Sequence, residues 1–268
     1  MNRVLITGAA GTIGGFLRQT LRGAYPVLRL SDVAPLDPAG PGEEVDLTDL
    51  TDLDAVENML DGVDGVVHLG GVSVEDSFDN ILPANILGTT NLFEAARRRG
   101  VGRVVFASTN HVIGFYPRDQ RLDHQTIPRP DSRYGVSKAY GEALASLYAD
   151  KYGLGVLSIR IGNVTERPVD NRRLSIWISP RDFTQLVRIG LETPDLHYKI
   201  VYGVSNNDRG WWDNSVAEAM GYRPQDNSED FAEAVLVEEA KRPVDQTAER
   251  FQGGTFAADE FAAEGTGH

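Results

Sequence analysis

Short apolar runs and longer helical patterns alternate along the first 165 residues of the chain. RVLIT (3–7) reads as a buried strand, TIGGFLRQTLRG (12–23) as a helix and VLRLSD (27–32) as a second strand. The polar stretch PLDPAGPGEE, rich in proline and glycine, is a loop. Beyond it the pattern predicts a short strand near 44–48, a helix over 51–61 and the strand GVVHLGG (65–71). A long helix over roughly 80–99 closes with RRRG, basic residues in its last turn and a glycine just past it. RVVFAST (103–109), a helix over 132–152 and VLSIRIG (156–162) complete six strands.

Strands that are apolar throughout, set between amphipathic helices, require a parallel sheet covered on both faces. The expected fold class is α/β: a doubly wound parallel sheet of Rossmann type spanning residues 1–165. From 166 to 268 the regularity breaks into short helices and aromatic, glycine-rich segments such as YGVSNNDRGWWDN (202–214) and RFQGGTF (250–256). This part is expected to be a small irregular substrate-binding region over the mouth of the sheet, not an independent domain. The tail FAAEGTGH (261–268) has little to anchor it.

Composition narrows the class. With 268 residues and 41% hydrophobic content the chain can build a sizeable core. No run approaches the roughly 18 apolar residues of a membrane span, and the N-terminus MNRVLITGAAG enters a strand without signal-peptide anatomy. Cysteine is absent, so disulfides and thiolate metal sites are excluded. Histidines 68, 111, 124, 197 and 268 show no metal-ligand spacing, and no metal is assigned. A net charge of −13 repels phosphate backbones and argues against a nucleic-acid partner. These features together predict a soluble cytoplasmic protein with a small-molecule partner.

The first strand leads into TGAAGTIG (7–14), which opens the first helix. Gly8 suits a tight turn, Gly11 lets backbone approach a pyrophosphate, and Gly14 allows close packing of helix on strand. Thr12 and Ile13 begin the helix, whose N–H groups and dipole face the phosphates. Asp32 closes the second strand, where a carboxylate accepts both adenosine ribose hydroxyls and repels a 2′-phosphate. No Arg or Lys follows closely, so NAD is expected rather than NADP. The repeated DLTD leaves two registers for the adenine side, Asp46-Leu47 or Asp49-Leu50, and the position just before the helix favours Asp49 and Leu50. Leu69 and Gly70 end the fourth strand near the middle of the cofactor, with His68 a packed strand residue.

Strand five ends in Ser108, Thr109 and Asn110, at the sheet edge where ligands of open α/β sheets bind. The following helix carries Tyr134 and Lys138 one turn apart on one face. Beside a nicotinamide, a hydroxyl, a tyrosine and a lysine form an alcohol-oxidising set: the tyrosine takes the proton, the hydroxyl holds the reacting oxygen, and the ammonium lowers the phenol pKa.

TGAAGTIG, HLGG, the hydroxyl after strand five and YGVSK resemble the extended short-chain dehydrogenase/reductase superfamily. More closely, SDVAPLDPAGP (31–41), VVHLGGVSVE (66–75), VFASTNHVIGFYP (105–117), RPDSRYGVSKAYGE (129–142), WWDNS (211–215) and RFQGGTF resemble the uronate dehydrogenase family over nearly the whole chain. The resemblance implies oxidation of D-galacturonate or D-glucuronate at C1 to an aldaric acid lactone with NAD as acceptor. By position it implies Tyr134 as base, Lys138 as its partner and Thr109 as the hydroxyl residue, with Ser108 a competitor. It puts Ser73, Asn110 and His111 on the sugar, with a purely structural hydrogen bond as the other reading of His111. It puts Arg172 on the uronate carboxylate, with Arg173 its rival. The chain departs from the family at Thr109, where a serine is usual, and at Asn163-Val164, where Ser-Cys is usual. Asn163 retains a polar group for the sugar, and Val164 can face the nicotinamide through its backbone.

Two other classes share these motifs. Nucleotide-sugar epimerases and dehydratases use the same tyrosine and lysine, but need a larger C-terminal domain and basic residues for a diphosphate. NAD-sensing modules keep the cofactor site and tend to lose the tyrosine. The resemblance also implies a homo-oligomer built by pairing the helices at 80–99 and 132–152.

Overall fold

Seven parallel strands form one sheet in the order β3-β2-β1-β4-β5-β6-β9. They are β1 (Arg3–Thr7), β2 (Val27–Ser31), β3 (Glu43–Asp46), β4 (Gly65–His68), β5 (Arg103–Thr109), β6 (Gly155–Ile161) and β9 (Tyr198–Gly203). A two-stranded pair, β7 (Asn163–Val164) with β8 (Trp177–Ile178), lies beside the sheet's C-terminal edge. The structure is a computed structural model and describes residues 1–262; the rest of the expected loose tail lies outside the described residues. Among the described residues no helix is long and apolar enough to cross a membrane.

The strand pattern explains the layering. Val4 and Ile6 face one side of the sheet and Leu5 the other, as alternation along a strand requires. On the first side they meet α1 (Thr12–Leu21) and α7 (Pro180–Glu192), with Leu17, Phe183 and Leu186 in a continuous core. On the second side α2 (Leu53–Met59), α4 (Thr89–Arg99) and α5 (Arg133–Tyr152) bury Val56, Phe93 and Ala145 against Val66, Val104 and Phe106. The expected helix over 80–99 is interrupted: α3 (Phe78–Ile81) continues through a π-helical stretch, Leu82–Gly88, into α4. Short helices α6 (Asn171–Ile176), α8 (Ser215–Ala219), α9 (Ala232–Glu239), α10 (Gln246–Arg250) and α11 (Thr255–Ala258) build the C-terminal part.

The sheet does not end at residue 165. β9 adds a seventh strand beside β6, and α7 covers the sheet on the α1 side. The strand was hidden because it lies at the edge: only Val201, Tyr202 and Gly203 are buried, so no continuous apolar run marks it.

Helix α5 begins at Ser132, whose hydroxyl accepts from the Gly135 N–H at 2.9 Å, and stops at Gly153 with φ 72°. Its inner face carries Tyr134, Lys138, Glu142 and Ala145 against β5. Both Tyr134 (8% exposed) and Lys138 (5%) are inside, whereas an ordinary amphipathic helix would turn its lysine to solvent. A side chain at Gly141 would fall 2.2 Å from the Phe106 ring, so glycine sets the close approach of helix to strand. At the next position, Glu142 pairs with Arg160 of β6 at 2.8 Å and accepts from Ser108 Oγ at 2.6 Å, all three buried.

Glu142→Ala is expected to destabilise the protein by about 3–5 kcal/mol, because it strands the Arg160 guanidinium in the interior. Urea denaturation followed by circular dichroism measures it, and a loss below about 1 kcal/mol would contradict this role for the pair.

Candidate functional site

A cavity of about 920 Å³ opens along the C-terminal ends of the parallel strands. At one end lies the glycine turn. Gly8 has φ 70°, and a side chain there would meet the backbone of Leu69 and Gly70 at 2.8 Å. At Gly14 it would meet the Gly8 carbonyl at 2.5 Å, which locks α1 onto the turn. Gly11 is different: nothing but the Gly8 carbonyl lies near its missing side chain, at 3.4 Å, and it enters α1 with no side-chain cap. The helix N–H groups at Thr12 and Ile13 are therefore available to a phosphate, and both residues line the cavity.

Asp32 lines the cavity beside the turn, its carboxylate accepting from the N–H groups of Ala10 and Ala34, both at 3.0 Å. The arginines of α1 are held elsewhere. Arg18 and Arg22 bind the buried Glu43 at 2.7 and 3.0 Å, and Arg18 with its hydrogen bonds draws that carboxyl down to about 2. A ribose diol would meet a carboxylate here, and a 2′-phosphate would meet no free cation among the described residues, so these residues fit NAD. Of the two registers offered by DLTD, Asp49 and Leu50 line the cavity, while Leu47 is 62% exposed and Asp46 accepts from Thr48. Leu69 and Gly70 border the middle, and His68 lies fully buried between Thr7 and Thr89, as a packed residue.

At the other end Thr109, Tyr134 and Lys138 converge on the cavity. Ser108 spends its hydroxyl on Glu142, which leaves Thr109 as the hydroxyl toward Tyr134. Burial pushes the Tyr134 phenol up to about 12, opposed by the Thr109 hydroxyl and reinforced by Asp131. Burial also brings the Lys138 ammonium down to about 8. The sequence reading has the lysine lowering the phenol pKa. In this structure the ammonium stands 5.9 Å from the Tyr134 ring centre, and desolvation outweighs it.

His111 and Arg172 form the far wall. Asp170 caps α6 and pairs with Arg173, so the neighbouring guanidinium is neutralised. Arg172 has no carboxylate partner among the described residues. Its Nε donates to the Gln252 carbonyl at 2.7 Å, and, with the Asn110 amide turned so that its oxygen faces the guanidinium, Nη2 donates to that oxygen at 2.7 Å. Burial, then Arg173, lowers its pKa to about 10, which leaves it charged at neutral pH. Asn110, expected on the sugar, is 1% exposed and lies beneath the site, tying Arg172 to the Ile161 carbonyl. Asn163 and Val164 line the cavity from β7.

Ser73 lines the cavity on an exposed loop. That loop is pinned by Asn85 of the π-helical stretch, which binds both the N–H and the C=O of Val72 and donates to Ser137 Oγ on α5. Three residues went unread in the sequence: Asn85, Asp131 and Phe256. Phe256 stacks on His111 with ring centres 3.9 Å apart. RFQGGTF stands out as a glycine-rich segment, yet nothing local shows that its phenylalanine reaches a strand end more than a hundred residues earlier.

A model of the NAD-dependent epimerase/dehydratase family matches residues 4–178, which include the glycine turn, Asp32, Thr109, Tyr134 and Lys138. The chain belongs to this family. Within the NAD-dependent epimerase/dehydratase family it is 49% identical to the uronate dehydrogenase of Pseudomonas putida, covering 96% of each chain. The crystal structure of uronate dehydrogenase from Agrobacterium tumefaciens superposes with a TM-score of 0.92 at 48% identity, over 96% of this chain and 97% of that one. A tyrosine-to-alanine variant of the Agrobacterium protein, complexed with NAD, matches at 47% identity and a TM-score of 0.92, with the same coverage. NAD is the cofactor of this family member, and the enzyme class is oxidoreductase.

Gly8→Ala places a β-carbon against the Leu69–Gly70 backbone at positive φ and should weaken NAD binding at least tenfold, on the order of 1.4 kcal/mol. Isothermal titration with NAD checks this; unchanged affinity would mean the turn does not hold the cofactor.

Proposed function

We propose that the chain catalyses NAD-dependent oxidation of the hexuronates D-galacturonate and D-glucuronate at C1, giving the aldaric acid lactone. The observation that carries this reading is the Arg172 guanidinium, charged, unpaired with any carboxylate among the described residues, and facing the cavity that Thr109, Tyr134 and Lys138 share. A guanidinium fork suits a carboxylate. The identity to uronate dehydrogenases over 96% of the chain supports the same substrate class.

Bound NAD supplies the acceptor for the hydride that leaves C1. The protein's part is to hold the sugar and move the proton. Arg172 grips the carboxylate and so fixes which end of the sugar faces inward. Thr109 Oγ1 hydrogen-bonds the C1 oxygen, and Tyr134, whose raised phenol must be ionised by the positive charges of Lys138 and the nicotinamide, gives the phenolate oxygen that takes the C1 hydroxyl proton as the C1 carbonyl forms. Lys138 stabilises that phenolate by its charge and offers its ammonium to the nicotinamide ribose. Ser73, His111 and Asn163 meet the sugar hydroxyls, while Asn110 acts through Arg172. The ring oxygen stays bonded to C1, so the oxidised product is a lactone.

Nucleotide-sugar chemistry fits less well, since two further cavity arginines are already taken: Arg118 by Glu249 at 2.6 Å and Arg173 by Asp170. As part of the same proposal the protein is cytoplasmic and oligomeric. Leu82 and Leu87 of the π-helical stretch, with Val136, Tyr140 and Leu147 of α5, expose apolar surface suited to pairing with a second copy. Light scattering should give a dimer or a multiple of it, and a monomer at micromolar concentration would count against the pairing.

Purified protein with NAD should form NADH with galacturonate or glucuronate and little with galactose. A flat trace with both uronates, from protein that binds NAD, would overturn the proposal. Tyr134→Phe should lower kcat by about 10²-fold or more with NAD affinity kept. Arg172→Ala should raise KM for uronates on the order of 10- to 100-fold, the worth of a charged hydrogen bond. An equal loss on neutral aldoses would make Arg172 merely structural.

A further inference from the structure

The wall of the cavity behind His111 contains a buried carboxylate with no part in the chemistry described so far. Asp131 is 7% exposed, its side chain fully buried. It fills a slot between two backbone segments. Side chains at Gly114 or Gly253 would collide with its Oδ2 at 1.7 and 1.9 Å, and the two glycines are themselves joined, Gly253 N–H to Gly114 carbonyl, at 2.9 Å. The slot thus clamps the carboxylate, and it joins the end of β5 to the C-terminal segment that carries Phe256.

Each oxygen of Asp131 has one side-chain donor. Oδ2 meets His111 Nδ1 at 2.8 Å. Oδ1 accepts from Ser132 Oγ at 2.8 Å. The direction of the second bond is fixed, because a carboxylate has no proton to give: Ser132 Oγ accepts the Gly135 N–H at the cap of α5 and donates its own proton to Oδ1. A carboxylate can only accept, so the first bond needs the imidazole proton on Nδ1. The ring itself cannot turn. It stacks on Phe256 at 3.9 Å and meets Tyr134 edge-on at 6.0 Å. Its Nε2 has no partner among the described residues, and the ring lines the cavity.

We propose that Asp131 is a positioning residue that holds His111 as the Nδ1–H tautomer and so presents Nε2 to the substrate as a hydrogen-bond acceptor. The site then selects a sugar hydroxyl that donates at this point. This rests on the reading of the cavity as a hexuronate site. The charges facing His111 agree with a neutral ring. Burial lowers its pKa, and Arg172 and Arg173 add to that, against the opposing pull of Asp131; Tyr134 alongside is a neutral phenol.

The test is Asp131→Asn, which keeps the shape of the slot. The Ser132 hydroxyl still needs an acceptor, so the amide oxygen stays on that side and the NH₂ turns to His111 Nδ1. That forces the proton to Nε2 and turns the acceptor into a donor. Nitrogen-15 spectra of histidine-labelled protein read the tautomer directly, His111 being identified by the signal missing in His111→Gln. The expected result is Nδ1–H in the native protein and Nε2–H in D131N, with KM for galacturonate raised about tenfold, the effect of one hydrogen bond, and NAD affinity unchanged. An Nε2–H signal in the native protein overturns the proposal, even should D131N fail to fold. So does a switched tautomer with unchanged KM. Native protein that shows Nδ1–H but oxidises no uronate would overturn the substrate assignment and leave the hold of Asp131 on His111 standing.

Discussion

The close seat of α5 on β5 is the constraint on which the site depends. Gly141 lets the helix down onto Phe106, and the buried Glu142–Arg160 pair, with Ser108 bound to it, fixes the helix against sliding. The spacing of four then carries the contact back along one face to Lys138 and Tyr134, at the strand end where Thr109 waits. A parallel sheet gathers its strand ends at one edge, and a helix returning from β5 must begin at that edge. Tyr134 and Lys138 are therefore placed by packing one to two turns further along α5.

Charge is distributed with equal economy. The chain carries 39 acidic against 26 basic residues, yet the cavity presents two cations without carboxylate partners among the described residues, Lys138 and Arg172. The arginines that would otherwise compete are neutralised in place: Arg18 and Arg22 on Glu43, Arg118 on Glu249, Arg173 on Asp170. An acidic exterior with a cationic interior draws an anionic ligand to one address and discourages it elsewhere on the surface.

What the sequence makes legible is what is local. The glycine turn, Asp32 and the tyrosine–lysine pair each sit within a few residues of the element that positions them, so their places along the cavity follow from spacing. The choice between Ser108 and Thr109 depends on Glu142, 34 residues away, and only the fold brings them together. Asn110 reads as a ligand for the sugar because it follows the strand end; one turn of 3₁₀ helix carries it under the site, to Arg172. The choice between Arg172 and Arg173 is a different case. Asp170 stands three residues before Arg173 at a helix start, and that spacing already implies the pair. β9 escaped because half of it faces solvent, so periodicity had too little to act on.

The position of β9 has a consequence for how such a molecule changes over time. The chain leaves β6, builds the Arg172 wall and α7, and only then returns to lay down the last strand. The Arg172 wall is thus an excursion between neighbouring strands of one sheet, closed at both ends by backbone pairing, so that any exchange of it must preserve the β6–β9 register. In the proposed hexuronate site, single replacements along the excursion, at Asn163 or Val164 for example, would reshape the cavity lining while the strands on either side hold still.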